Sequence, residues 1–107
     1  MAVSTIKTNG WRKVDTVTGS NTIAIPNNTN ELLVEVQYND ANFYFSFYLA
    51  FNQLSDAEKS YTQGDNFGST SYGAAQINAK KSYVYLNALY ISGTNHTSTS
   101  KMTLFVR

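Results

Sequence analysis

The sequence from Phe43 to Phe51 reads FYFSFYLAF, and this stretch decides the fold. Large apolar residues occupy every second position, while tyrosine, serine or alanine fills the positions between them. A helix would scatter the large side chains around its axis, whereas a strand, with its period of two, places them all on one face. The stretch therefore predicts a β-strand that covers a core.

The same alternation recurs along the chain and predicts an all-β protein. Further strands are predicted over Trp11–Thr18, Thr22–Ile25, Glu31–Tyr38, Tyr72–Asn78, Ser82–Ile91 and Lys101–Arg107. Seven or eight short strands, separated by turns rich in Gly, Asn and Ser, are typical of an antiparallel β-sandwich or a jelly roll.

One segment predicts a different local structure. Ser55-Asp56-Ala57-Glu58 matches a capping box, in which the serine and glutamate side chains satisfy free backbone N–H groups at the start of a helix. One helical turn is therefore predicted over about Ser55 to Ser60.

Length and composition limit the classes of function. The 107 residues are enough for one domain, spanning 1–107, in which residues 1–10 form a leading linker or a short strand. Eight basic residues face seven acidic ones, so no bulk charge favours nucleic acid or a membrane surface as a partner. The chain has no cysteine and one histidine, which excludes thiolate sites and sites that need two imidazoles.

The sequence gives little support for catalysis. Glu31 and Glu35 share one face of a predicted strand but lie roughly 13 Å apart, on a face that otherwise resembles a solvated surface. His96 lies in a polar loop, and the chain has no Gly-x-Ser-x-Gly elbow that would mark a nucleophile. We therefore expect no catalytic residues, no cofactor and no metal site.

Polar residues and loop aromatics are the candidates for ligand contact. About a third of the residues are Asn, Ser or Thr, whereas only 14% are charged. Rings set among amides and hydroxyls suit sugar recognition, and they also suit an ordinary loop that tucks a ring inward. The predicted ligand-binding residues are Tyr61, Asp65, Asn66, Tyr72, Asn95 and His96.

A second set of aromatics is predicted to lie on strand faces opposite the core. Its members are Tyr44, Tyr48, Tyr83 and Tyr85, and by parity Leu89 and Ile91 join Tyr83 and Tyr85 on one face. An apolar second face implies that something covers it, namely a second sheet, an identical subunit or a flat ligand. The four tyrosines are therefore candidates for a subunit interface.

Several stretches give the chain a resemblance to a known class of module. They are Asn9-Gly10-Trp11, the segment from Gly19 to Pro26, the strand Glu31–Val36 and the ending Met102–Arg107. In strand and turn style the chain resembles the C-terminal receptor-binding heads on tail fibre and baseplate proteins of bacteriophages and prophages of gut Firmicutes. The resemblance implies a β-sandwich or jelly-roll head, commonly a homotrimer, that adsorbs to host-surface glycans from the virion tail.

The expected function is thus recognition of a host-surface carbohydrate without catalysis. One alternative is a structural virion component, such as a head-decoration or tail-assembly protein, that binds no glycan. Another is a carbohydrate-binding module of a secreted enzyme. We expect a homo-oligomer, and expect neither nucleic acid nor membrane as a partner.

Overall fold

The computed structural model describes residues 10–38, 44–66 and 72–107. Within these ranges the chain forms nine β-strands and two short 3-10 turns, with no α-helix. The strands are β1 Arg12–Thr18, β2 Ile23–Ala24, β3 Glu31–Gln37, β4 Tyr44–Ala50, β5 Lys59–Asn66, β6 Tyr72–Lys80, β7 Tyr83–Ile91, β8 Thr94–Asn95 and β9 Lys101–Val106. The 3-10 turns are Phe51–Gln53 and Thr97–Thr99.

The strands form two antiparallel sheets, which confirms the predicted antiparallel β-sandwich. The four-stranded sheet has the order β1-β9-β3-β4, and the five-stranded sheet has the order β2-β7-β6-β5, with β8 paired to β7. Strands β3 and β4 are consecutive in sequence and adjacent in the four-stranded sheet. Strands β5, β6 and β7 are likewise consecutive, and they are adjacent in the five-stranded sheet. This order does not confirm the jelly-roll alternative.

The core lies between the two sheets and follows the alternation in the sequence. In β3 the burial pattern alternates along its seven residues, and Leu32, Val34 and Val36 have no exposed surface. Strand β4 supplies Phe45, Phe47 and Leu49 to the core as predicted, while Phe51 follows the strand in a 3-10 turn and is partly buried. The predicted ladder also includes Phe43, which lies outside the described residues.

A β-bulge in β7 changes which residues face the core. Gln76 pairs with Ala88 and Ile77 pairs with Leu86, so Asn87 is an extra residue without a partner in the register. The extra residue reverses the parity of the strand, and Leu89 is therefore fully buried. The prediction that Leu89 and Ile91 share a face with Tyr83 and Tyr85 is wrong, because it assumed an uninterrupted alternation.

The predicted helical turn over Ser55 to Ser60 is also wrong. Bends occupy Asp56 and Ala57, and β5 begins at Lys59. The Ser55 hydroxyl contacts the backbone of Ala57, accepting a hydrogen bond from its N–H at 3.2 Å. The Glu58 carboxylate accepts hydrogen bonds from side chains of the neighbouring strands instead of from a helix N-terminus.

Two further predictions meet the structure only in part. The leading linker or strand over residues 1–10 falls almost wholly outside the described residues. The polar loop around His96 is more regular than expected, because it contains β8 and a 3-10 turn. Ser92 and Gly93, both with positive φ, form a two-residue turn that suits the tight hairpin between β7 and β8.

Candidate functional site

The candidate site lies on the outer face of the five-stranded sheet. Directly paired residues in antiparallel strands share a face, so the register defines the outward-facing residues. Across the middle of this face they are small or uncharged: Thr62 and Gly64 from β5, Ala74 and Gln76 from β6, and Ala88 and Tyr90 from β7.

The bulge at Asn87 creates a shallow depression on this face. The depression has a volume of about 280 Å³ and is lined by Thr62, Ala74, Ala75, Gln76, Ala88 and Tyr90. Because the alanines are small, the floor lies low beside the Tyr90 ring, which is 44% exposed. Tyr72, 57% exposed, is the diagonal neighbour of Tyr90 across β6 and β7. Two solvent-accessible rings therefore lie beside a low apolar floor.

A polar cleft of about 620 Å³ adjoins the depression. It is lined by Thr18, Gly19, Ser20, Asn21, Asn87, Asn95, Thr97 and Ser98. One wall is the turn after β1, where the positive φ of Gly19 lets the backbone pass close to Ser98. Hydrogen bonds from Thr97 N–H and Oγ1 to the Asn95 Oδ1 fix the opposite wall.

Neighbouring residues of β7 line the two cavities, and a hydrogen bond links one lining to the other. Asn87 lines the cleft and Ala88, the next residue, lines the depression. The Asn87 side-chain amide donates to Oε1 of Gln76 on the floor of the depression. Asn95 of the cleft pairs with Tyr90 of the depression in the β7–β8 register. The two cavities thus lie side by side.

A charged cluster lies at the other end of the same sheet. The Glu58 carboxylate accepts hydrogen bonds from the hydroxyls of Tyr83 and Tyr85 and from the Asn78 amide. The two tyrosine hydrogen bonds lower the pKa of the Glu58 carboxyl, and the bound carboxylate raises the pKa of the Tyr83 hydroxyl. Lys80 Nζ lies 5.3 Å from the centre of the Tyr83 ring. These contacts satisfy the charges locally.

The predicted ligand-binding residues do not form one group. Tyr72 lies on the outer face and Asn95 lines the polar cleft, so these two belong to the candidate site. Asp65 and Asn66 are in β5, opposite Gly73 and Tyr72 in the register.

The remaining two predicted ligand residues lie elsewhere. Tyr61 faces the other way from Tyr72 and packs partly against the core. It lines a groove of about 460 Å³ between the edge strands β4 and β5. His96 is half-buried, and its ring lies 4.2 Å from the ring of Tyr38, centre to centre. A ligand lying flat on the outer face would contact neither of them.

The predicted interface tyrosines are divided between the two sheets. Tyr48 is 54% exposed on the four-stranded sheet, where Tyr44 lies in the same strand, opposite Gln37. Tyr83 and Tyr85 are half-buried on the five-stranded sheet, and their hydroxyls bind Glu58. The three tyrosines whose side chains are described therefore lie on two separate patches.

Most residues of the candidate site were not predicted from the sequence, among them Gln76, Asn87, Ala88 and Tyr90. Uninterrupted alternation along β7 predicts Ala88 and Tyr90 on the face opposite Tyr83 and Tyr85, and Asn87 on the same face as those tyrosines. Nothing in the strand pattern singles out Gln76. The bulge explains three of these four, since it turns Ala88 and Tyr90 outward and brings Asn87 to the cleft. A possible signal was the interrupted pattern of β7, in which Leu86 and Leu89 are both large and apolar but differ in parity.

Comparisons with known proteins identify no relative. No protein-family model matches the chain, and neither a curated protein nor a solved structure is significantly similar to it. Within residues 10–38, 44–66 and 72–107, no three acidic or histidine side chains are grouped as metal ligands would be. The same ranges contain no helix with the length and apolar character of a membrane span.

Proposed function

We propose that this protein is a non-catalytic carbohydrate-recognition domain that binds a cell-surface glycan on the outer face of its five-stranded sheet. The observation that carries the proposal is the pairing of two kinds of surface. Exposed tyrosine rings border an apolar depression, and a cleft of amides and hydroxyls adjoins it. A pyranose has an apolar face that stacks on rings and a rim of hydroxyls that exchange hydrogen bonds with amides.

The chemistry of the lining supports binding without turnover. Glycosidases need two carboxyl groups across the scissile bond, one with a raised pKa. Among the described residues, no acidic side chain lines the depression or the cleft. Glu58, which precedes β5 at one end of this sheet, has a lowered pKa and is held by tyrosine hydroxyls. It is therefore poorly suited to donate a proton.

We further propose that the domain acts as a receptor-binding head on a phage tail. This setting rests on the resemblance in strand and turn style described above. The shallow depression favours weak binding at each site, so a homo-oligomeric head, with a trimer favoured, would gain its avidity from several copies on one surface. A carbohydrate-binding module of a secreted enzyme would use the same face on a free polysaccharide.

Mutations of the two exposed rings test the proposed function. The probe is a panel of purified bacterial cell-wall polysaccharides, immobilised and titrated with the intact protein. Tyr90→Ala and Tyr72→Ala should each weaken binding about tenfold, equivalent to about 1.4 kcal/mol. Neither change should unfold the protein, because both rings are largely exposed.

Tyr48→Ala provides a matched control. Tyr48 is about as exposed as Tyr72 but lies on the other sheet, so its removal should leave glycan binding unchanged. If no polysaccharide binds, or if all three changes weaken binding equally, the proposal is wrong.

A structural virion role is the second candidate function, and the exposed Tyr48 favours it. This ring meets Trp11 edge-on at 6.1 Å and remains more than half accessible, as an assembly contact would require. In that case Tyr48→Ala should lower the oligomeric mass measured by light scattering. Tyr90→Ala should leave the mass unchanged.

A further inference from the structure

We infer that the ligand is an uncharged oligosaccharide of at least two sugar units, with one unit on the depression and the next in the polar cleft. This inference rests on the proposed function and specifies its ligand. It depends on two observations: the absence of charge from the lining of both cavities in the described chain, and the hydrogen bond and strand pairing that place the cavities side by side.

The lining favours a neutral ligand over an acidic one. A uronic acid, a sialic acid or a phosphodiester needs a cation or a cluster of N–H donors to replace its hydration. The fourteen positions that line the two cavities hold Thr, Gly, Ser, Asn, Ala, Gln and Tyr. Lys80, which belongs to the same sheet, lies four residues from Gln76 along β6, or about 13 Å, and is engaged with the Tyr83 ring.

The cleft retains hydrogen-bonding capacity for a sugar. Asn95 uses its Oδ1 to hold Thr97, and Asn21 uses its Nδ2 to bind the Thr18 carbonyl at 2.6 Å. Among the described residues the other polar atom of each amide has no side-chain partner and can bind a ligand, and so can Oδ1 of Asn87, whose Nδ2 binds Gln76. Within the described chain, the hydroxyls of Ser20 and Ser98 form no side-chain hydrogen bond. Donors and acceptors are therefore mixed, as a ring of sugar hydroxyls requires.

The spacing of the cavities sets the minimum length of the ligand. Ala88 and Tyr90 line the depression, and their neighbours Asn87 and Asn95 line the cleft. Opposite residues of an antiparallel pair lie about 5 Å apart, which is close to the length of one sugar unit. A monosaccharide fills one cavity, whereas two linked units reach both.

The test uses neutral hexose oligosaccharides of one to six units, together with equal-length oligomers that carry uronic acid or phosphodiester groups. Titration calorimetry with the intact protein should show affinity for the neutral series rising at least tenfold from one unit to two or three, then levelling. Raising NaCl from about 0.01 M to about 1 M shortens the screening length from about 30 Å to about 3 Å, and binding of the neutral ligand should change less than about twofold.

Two blocking variants separate the cavities. Ala88→Leu fills the depression and should weaken every length, while Ser98→Leu obstructs the cleft and should weaken only two units and longer. Neither side chain contributes a hydrogen bond to the described fold. Ser46→Leu, an exposed position on the other sheet, is the matched control and should have no effect.

The outcomes distinguish this inference from the proposed function. Tighter binding of the acidic oligomers, with affinity falling as salt rises, would overturn the neutral ligand while leaving glycan recognition in place. Equal affinity at every length, or no effect of Ser98→Leu, would remove the cleft from the site. If no sugar of either series binds, the proposed function itself fails.

Discussion

The outer faces of the two sheets are built in opposite ways. On the four-stranded sheet, two large side chains that point away from the sandwich core are covered by their neighbours, whereas Tyr48 on the same face remains 54% exposed. Trp11 and Phe105 keep only 7% and 9% of their surface exposed, and the Arg107 guanidinium lies 4.3 Å above the Trp11 ring. On the five-stranded sheet, the outward positions around the depression are small, and the large rings beside them remain exposed.

This difference links the four-stranded sheet's outer face to stability and the five-stranded sheet's outer face to ligand binding. A face that is filled by its own side chains gains free energy from apolar burial and leaves no concave surface for a ligand. A face with small residues between exposed rings loses that burial and gains a shape that a ligand can fill. Mutations should therefore affect folding on the four-stranded sheet and binding on the five-stranded sheet.

Deletion of Asn87 should have the largest effect on stability, because the bulge determines which residues of β7 lie on the open face, that is, the outer face of the five-stranded sheet. Without the extra residue, the second half of β7 would turn over, exposing Leu89 and Ile91 and burying Tyr90. Exposing two aliphatic side chains should lower the free energy of unfolding by about 3–6 kcal/mol, measured by urea denaturation. Asn87→Ala keeps the backbone length and should lose less than about 1 kcal/mol. Equal stability of the two variants would show that the bulge does not set the parity.

The bulge also marks where prediction from the sequence stops. Strands β3 and β4 could be predicted almost residue by residue, because each is an uninterrupted alternation with one buried face. Strand β7 is also rich in aromatic and aliphatic residues, but its parity depends on a bulge in its pairing with β6. Alternation along one strand does not reveal how that strand pairs with another. The depression therefore could not be predicted.

Replacement of buried and exposed rings tests the comparison directly. Trp11→Ala removes a buried indole and should lower the free energy of unfolding by about 3–5 kcal/mol. Tyr90→Ala removes an exposed ring from the open face and should change it by about 0.5 kcal/mol or less. Circular dichroism should follow both transitions, because Trp11 is the only tryptophan. Similar losses for the two variants would contradict the division of roles.

The candidate site was only partly within reach of sequence reasoning. Tyr72 and Asn95 could be selected because rings and amides in turn-rich segments are suited to ligands. Tyr61 has the same kind of sequence context as Tyr72. It pairs with Ile77, however, and therefore faces the core side of the sheet. The capping-box pattern at Ser55–Glu58 was misleading for a related reason, since Glu58 finds its partners on β6 and β7. Both errors concern long-range pairing, which local patterns do not encode.

Arg107→Lys changes the outer face of the four-stranded sheet and should have a smaller effect on stability than Trp11→Ala. The guanidinium stacks on Trp11 and its Nε donates to Glu31 Oε1 at 2.8 Å, whereas an ammonium cannot do both in one plane. Both side chains of the ion pair are about one-third exposed, so solvent screens it and we expect a loss of about 0.5–1 kcal/mol. In 1 M NaCl the ion pair is screened, and urea denaturation should still detect the part of that loss that comes from stacking on Trp11. Complete disappearance of the difference in salt would assign it to the ion pair alone.

Glu58→Gln should have the smallest effect on stability, because the cluster lies at the solvent-exposed edge of the open face. Its signature is spectroscopic. The carboxylate raises the pKa of Tyr83, so its removal should move the alkaline titration of that hydroxyl, followed by phenolate absorbance, toward lower pH. Tyr83→Phe removes the same transition and identifies it among the tyrosines.

The raised pKa of Tyr83 contributes stability below its ordinary pKa that is lost as pH rises through the folded value. The lowered pKa of Glu58 acts oppositely, with stability present above its ordinary pKa and lost as pH falls through the folded value. Glu58→Gln should therefore flatten the stability profile at both ends, and an unchanged Tyr83 titration would show that the hydrogen bond does not persist in solution.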